Sequence, residues 1–472
     1  MNAPTKPAEV GITGGTISAT LAAFATNVRF SDVPAKVVER AKLHILDCIG
    51  IGLASSGFDF GQRTINAVSG LAGHGDFPVI GTALGLPIRD AVLVNGTLIH
   101  GLDFDDTHSG GVIHASASAL PTVMALGQRE RSSGEDMLMA YLIGIEASSR
   151  IGMAANGGFH RVGFHPTGLV GAFGATLAAA RIAGLTPAQM EHAQGITLST
   201  AAGSLEFLQD GAWTKRMHPG FAGSNAILAC TLARSGFVGP KRAYEGRYGL
   251  FASHLPAGQQ PDLSICTQGL GSTWEMLNVA LKPYAACHFN HAFADAALEI
   301  RKKHRFELAD IESIKALIGD GPDKVVCEPE ANKRKPQNSY DAQFSTHYTI
   351  ATSLVRGRYT LAELDDDALN DPRSAALMQK TTYEVDPNSA YPRYYSGEVI
   401  IRLKDGRELR HRESQNRGSD ARPLSAEEII AKYRGNAERV VSASRAERIV
   451  EAVLSLDRAQ NPDALIGAVR IA

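Results

Sequence analysis

The chain has 472 residues, 44% hydrophobic and 20% charged, with a formal net charge of −2. That length exceeds one ordinary hydrophobic core and suits two or three domains. The charge balance leaves no basic footprint for nucleic acid or for an acidic membrane surface. The five cysteines, Cys48, Cys230, Cys266, Cys287 and Cys327, follow neither a CxxC nor a zinc-ligand spacing. Such a set favours reduced thiols and a cytoplasmic protein. The first fifteen residues lack the apolar run flanked by positive charge that a secretory signal needs. Greasy runs such as LVGAFGATLAAARIAG are broken by Gly or Arg before the ~20 residues of a membrane span. Neither a membrane nor nucleic acid is expected as a partner.

Helix signals dominate the first 255 residues. Asp32 and Pro34 open a helix whose apolar positions Val38, Ala41, Ile45, Ile49 and Leu53 recur at three- and four-residue steps. A second amphipathic run spans Gly134 to Gly152. Thr167 can cap a small-residue helix from Gly168 to Ala183, and Thr186, Pro187 and Gln189 form a capping-box start for the next. Ala222 to Ser235 repeats the small-residue pattern. Strand alternation is almost absent, which predicts an all-α bundle. The pattern changes near Thr273. Ile314, Ala316 and Ile318 alternate as in a half-buried strand, and Glu398–Arg412 reads as a hairpin around a two-residue Asp405–Gly406 turn. His291 to His304 looks helical between them, and the charged segment Glu328–Ser339 is the best candidate for a mobile loop. From Leu424 onward helix returns, with Ser425 and Glu428 as a capping box. The expectation is a mainly α protein: a large, discontinuous helical domain (1–273 with 420–472) and a smaller α+β lid (274–419).

Chemistry concentrates between Asn95 and His114, NGTLIHGLDFDDTHSGGVIH, with apolar helical sequence on both sides. Buried ionisable groups are costly unless they pair or react. Asp103, Asp105 and Asp106 suit a ligand, a base or an orienting carboxylate, or else caps for a helix end. His108 and His114 lie in reach of the same turn. A metal is a rival reading, but HxxxH, HxH and HExxH spacings are absent. Three further constellations follow. His165 precedes a helix N-terminus, where an anion is favoured. Lys215 and Arg216 stand before another small-residue helix and ask for an anionic partner. In Lys282–His291, Lys282 can act as a base or hold a carboxylate, and Cys287 can be a base or a small buried hydrophobe. The Gly-rich Gly11–Gly15 stretch lacks the GK[ST] of a phosphate loop, and no GxSxG elbow or dinucleotide fingerprint occurs in context.

Taken in order, these segments resemble the MmgE/PrpD family, which includes 2-methylcitrate dehydratase, cis-aconitate decarboxylase and iminodisuccinate epimerase. The resemblance runs over nearly the whole chain, from AKLHILDCIGIGLASSG through NGTLIHGLDFDDTH, GFHPTGLVGAFGA and KRMHPGFAGSNAILACTLARSGFVGP to EGRYGLF, KPYAACHFNHAFADAALE and AQFSTHYTIATSLVRGRYTLAEL. It implies a helical domain with a lid, a homodimer, and a site between the domains that needs no cofactor and no metal. Asp103 and Thr107 match the family's DxDDT motif. His114 matches a histidine usually followed by Pro-Ser and here followed by Ala-Ser. His165, Lys215 and Lys282 match the GFHPT histidine and the two lysines. Cys287 stands where the decarboxylases carry a catalytic histidine, with His288 beside it. Their later catalytic tyrosine has no evident counterpart unless it is a displaced Tyr340.

The chemistry so implied is proton transfer beside a carboxylate of a small di- or tricarboxylate, through an enediolate that cations and donors must stabilise. The expected roles are His114 as general acid/base, Asp103 orienting or polarising it, and Thr107 bonding substrate. Lys215, Lys282 and His165 would neutralise carboxylates, and Cys287 or Lys282 would act from the lid. His108, Arg216 and His288 complete the expected substrate contacts. A lyase, first of all a dehydratase resembling 2-methylcitrate dehydratase, is the leading expectation. An epimerase or isomerase, a decarboxylase and a non-enzymatic carboxylate binder are the alternatives.

Overall fold

A computed structural model of the chain describes residues 15–471, so most of the Gly11–Gly15 stretch and of the N-terminal segment lies outside the described residues. From Ile17 to Arg234 the chain is mostly helical. Helices Ala35–Ser56, Ile88–His100, Ser116–Glu130, Gly134–Ala154, Pro166–Ile182 and His218–Arg234 share one apolar core. The first begins directly after Pro34, while Asp32 ends a preceding turn and pairs with Arg29. The box at Thr186 and Gln189 forms as predicted. Thr167 does not cap its helix. It is the second helical residue, and its hydroxyl accepts the His114 backbone N–H at 3.0 Å. Gly134–Ala154 is not amphipathic, since every residue from Met137 to Gly152 is buried. It is tolerated inside the core because its charges are satisfied there: Arg150 binds Glu146 and the carbonyls of Gln268 and Thr273.

Small residues let these helices touch through their backbones. A Cβ on Gly96 would stand 2.6 Å from the Gly220 Cα, so the Ile88–His100 and His218–Arg234 helices meet with nothing between them. The all-α expectation needs one correction, because two short antiparallel ladders occur. One pairs Phe77–Pro78 with Gly85–Leu86. The other pairs Thr107–His108 with Val279–Ala280 and so ties the candidate loop to the segment that delivers Lys282.

A second core gathers the His291–Lys303 and Thr346–Arg356 helices against a four-stranded sheet. The strand order is Thr381–Val385, Ile311–Ile318, Gly397–Leu403, Glu408–Glu413, parallel at the first pairing and antiparallel after it. Ile314, Ala316 and Ile318 are buried, as their alternation predicts. The hairpin turn is longer than expected. Leu403 N–H donates to the Arg407 carbonyl across a three-residue Lys404–Gly406 loop, and Gly406 takes φ +89°. Within the charged Glu328–Ser339 segment, Glu330–Lys333 forms a helical turn, and Arg334 donates to the Met378 and Gln379 carbonyls. The tail forms the Ala426–Ala437 and Ala443–Leu454 helices, and Tyr433, Ile449 and Val453 enter the first core beside Ile45 and Ile49. No single helix among the described residues is long and apolar enough to cross a membrane.

Candidate active site

The loop leaving the Ile88–His100 helix sends its three aspartates to three different partners. Asp106 takes the structural role. Its carboxylate accepts from the Ser116 backbone N–H at 3.1 Å, from the Ser116 hydroxyl and from His44 Nδ1 at 2.6 Å, which fixes the start of the next helix. Asp105 is fully buried between two imidazoles, accepting from His100 Nδ1 at 2.8 Å and from His114 Nδ1 at 3.0 Å. Burial raises the Asp105 pKa, but the adjacent His114 and His100 outweigh it and hold the group well below the usual carboxylate range. An ionised carboxylate only accepts, so His114 donates its Nδ1–H to Asp105, which fixes the ring and turns its Nε2 edge the other way.

Asp103 is the residue that Nε2 faces, with 3.6 Å to its Oδ1. Its φ of +50° lies in the left-handed region, which Asp tolerates better than most residues. In that conformation its carbonyl and carboxylate both meet Lys282 Nζ, at 2.7 and 3.1 Å. Lys215 Nζ donates to the same Oδ1 at 2.7 Å. Burial opposes the Asp103 charge, yet the two ammonium groups prevail and hold its pKa far below normal. Lys215 is likewise desolvated but raised above its ordinary value by Asp103. The centre is therefore a buried carboxylate clamped by two lysines, with the Nε2 edge of His114 facing it.

His165 lies on the helical side, its ring stacked on His100 at 5.6 Å and its Nδ1 2.9 Å from His218 Nδ1. Burial, reinforced by neighbouring cations and imidazoles, pushes His165 well below its usual pKa and His218 to about 4, so both are neutral near pH 7. On the side of the four-stranded sheet, Asn416 accepts the Tyr395 N–H through Oδ1 and therefore turns its amide nitrogen to His288 Nε2, at 2.7 Å. His288 Nδ1 then donates to Thr107 Oγ1 at 3.2 Å. Burial, aided by Lys282, depresses His288 to about 3.

The structure thus brings together Asp103, Thr107, His114, His165, Lys215, Lys282 and His288. His108 does not join them. Its Nδ1 accepts from Gly111 N–H and its Nε2 bonds Glu275 at 3.1 Å, so it anchors the loop. Cys287 borders the centre, but burial and then Asp103 push its thiol up to about 11, and a protonated thiol is no base. Sequence reasoning singles out neither His100 nor His218, although both stand within the quoted motifs NGTLIHGLDFDDTH and KRMHPG. It weighs Asp105 only as one of a cluster and Tyr340 only as a displaced counterpart. Tyr340 lies beside Arg216, with 5.0 Å from the Arg216 Cζ to its ring centre, and it senses the charges of Lys215 and Asp103. His100, Asp105 and His114 also bring ligand atoms within 4.8 Å of one another, close enough for a metal. Their present geometry is that of two imidazole N–H groups donating to one carboxylate. A cavity of about 700 Å³ is bounded by Phe58, Asn338, Ser339, Asp365 and Arg439, and none of the site residues named above lines it.

The MmgE/PrpD N-terminal domain matches residues 19–262, and the MmgE/PrpD C-terminal domain matches residues 284–458. A cis-aconitate decarboxylase of Aspergillus terreus (strain NIH 2624 / FGSC A1156) is 30% identical, over 94% of this chain and 93% of that protein. The human cis-aconitate decarboxylase is 28% identical, over 89% and 88%. The 2-methylcitrate dehydratase of Escherichia coli (strain K12) is 24% identical, over 91% and 92%.

Proposed function

The chain belongs to the MmgE/PrpD family and is a lyase of small carboxylates, and on that premise we propose that its reaction starts with removal of a proton beside a substrate carboxylate by His114 Nε2. The observation that carries this reading is the His114 ring, fixed through Nδ1 by Asp105, with its Nε2 facing a carboxylate clamped between Lys215 and Lys282. A substrate carboxylate arriving there exchanges with Asp103 for the two ammonium groups. As the C–H bond breaks, its electron pair moves onto the carboxylate, and those cations stabilise the enediolate. Thr107, backed by His288 and Asn416, offers a hydroxyl from the lid side.

The first reading is dehydration of a hydroxy-polycarboxylate. The C–OH bond beside the carbanion breaks as the alkene forms, and the proton taken by His114 leaves with the hydroxide as water. The second reading is decarboxylation, favoured by the 30% identity to a decarboxylase and by the position of Tyr340 next to the two basic side chains. Proton NMR in D₂O, with EDTA present, distinguishes them on a panel of 2-methylcitrate, citrate, both aconitates and an imino-linked dicarboxylate. An alkene retaining every carbon supports the hydro-lyase, and release of CO₂ supports the decarboxylase. Deuterium entering recovered substrate or its stereoisomer without elimination replaces both with an epimerase. His114→Gln is expected to lower kcat by about 10²- to 10⁴-fold. Wild-type turnover by that variant removes His114 from the reaction.

A further inference from the structure

We infer that Arg216 is the specificity determinant of this site, its guanidinium, walled by Phe60, Trp213 and Tyr340, receiving a second substrate carboxylate apart from the one held by Lys215 and Lys282. The inference rests on the polycarboxylate reading above and adds where the second charge goes. Arg216 is only 8% exposed and sits in the short Trp213–Met217 turn beside Lys215. Its Cζ lies 4.2 Å from the Phe60 ring centre, 5.0 Å from that of Tyr340 and 5.2 Å from that of Trp213. Among the described residues no carboxylate lies within ion-pair reach of it, and its Nε is buried without a hydrogen-bond partner. Arg150, equally buried, shows the ordinary solution: a glutamate and two carbonyls saturate its fork.

A buried cation without an anion is costly, and aromatic walls compensate only in part. Rings interact with the faces of a guanidinium, whereas its five N–H donors lie in its plane. An arriving carboxylate can therefore take two parallel hydrogen bonds at that edge. Phe58 and Ser339, which bound the cavity, flank this place: Phe58 is 6.1 Å from Phe60, and Ser339 precedes Tyr340. A substrate with a single anionic end leaves Arg216 unfilled. One with two separated carboxylates occupies both cationic stations at once.

The test is calorimetric titration of the full-length protein with propane-1,2,3-tricarboxylate, which has no hydroxyl to eliminate, and with butanoate, which has a single anionic end. Wild-type protein is expected to bind the tricarboxylate at least tenfold tighter. Arg216→Met should erase that preference while leaving butanoate affinity unchanged, and Arg216→Lys should restore part of it. An Arg216→Met protein that keeps the full preference overturns the inference, while the preference itself leaves the polycarboxylate reading in place. Binding of neither acid by the wild type overturns both. Should Arg216→Met fail to fold, Trp213 fluorescence in a Trp274→Phe background gives the same decision. A change on adding tricarboxylate but not butanoate supports the inference, and equal responses, or none, refute it.

Discussion

Asp105 does the work that orders the catalytic imidazole. By accepting from His100 and His114 at once, it holds the His114 ring through Nδ1 and leaves the Nε2 edge turned to the centre. An asparagine there has nearly the same shape but only one carbonyl oxygen, and its amide would donate where the second imidazole also donates. Asp105→Asn is therefore expected to lower kcat by about a hundredfold or more with little change in KM. Steady-state kinetics on the substrate found by NMR checks this, and an unchanged kcat removes the orienting role. The sequence could present DFDD as a cluster but not distribute its members. Which aspartate meets Lys215, which meets two histidines and which caps a helix depends on the left-handed turn at Asp103 and on side chains more than a hundred positions away. Asp106 kept the bland reading, as a cap, while its neighbours took the chemistry.

The elements that carry these residues were easier to read. Apolar periodicity and capping boxes gave the helices at Ala35, Pro187, His291 and Ala426, because those signals act within a few residues of the chain. Contacts between elements were harder, since the helix at Gly134 is buried all round only because its neighbours enclose it. The approach of Ile88–His100 to His218–Arg234 is one such contact and has a functional consequence. One helix ends at His100, and the other begins directly after the turn that holds Lys215 and Arg216. A Cβ on Gly220 would lie 2.2 Å from the Leu93 carbonyl oxygen, so Gly220→Ala must push the helices apart. The expected cost is about 1–3 kcal/mol of stability, together with a fall in kcat as Lys215 moves from Asp103. Urea unfolding with parallel kinetics tests this, and a variant with wild-type values of both shows that the contact is looser than described.

Across the whole molecule, the same burial that prepares the site makes the fold sensitive to acid. His44, His100, His218 and His347 are depressed to about 4 and His288 to about 3, in each case chiefly by desolvation. In the unfolded chain these groups return to an ordinary value near 6.5. Below that pH the unfolded state binds protons that the folded state refuses, so stability present above about pH 6.5 is lost as the pH falls toward 4. Asp47, raised to about 6, and Glu146, raised to about 7, also mainly by burial, act in the opposite direction. They, and Asp295, which burial also raises, bind protons in the folded state first, but three such groups do not offset five. Each proton of net excess tilts unfolding by about 1.4 kcal/mol per pH unit. The urea midpoint should therefore drop between pH 7.5 and pH 5, while remaining nearly level from pH 7.5 to pH 8.5. A midpoint that holds steady or rises on acidification would mean that these imidazoles are charged in the folded protein. His165 and His288 would then enter the reaction as cations rather than as neutral hydrogen-bonding groups.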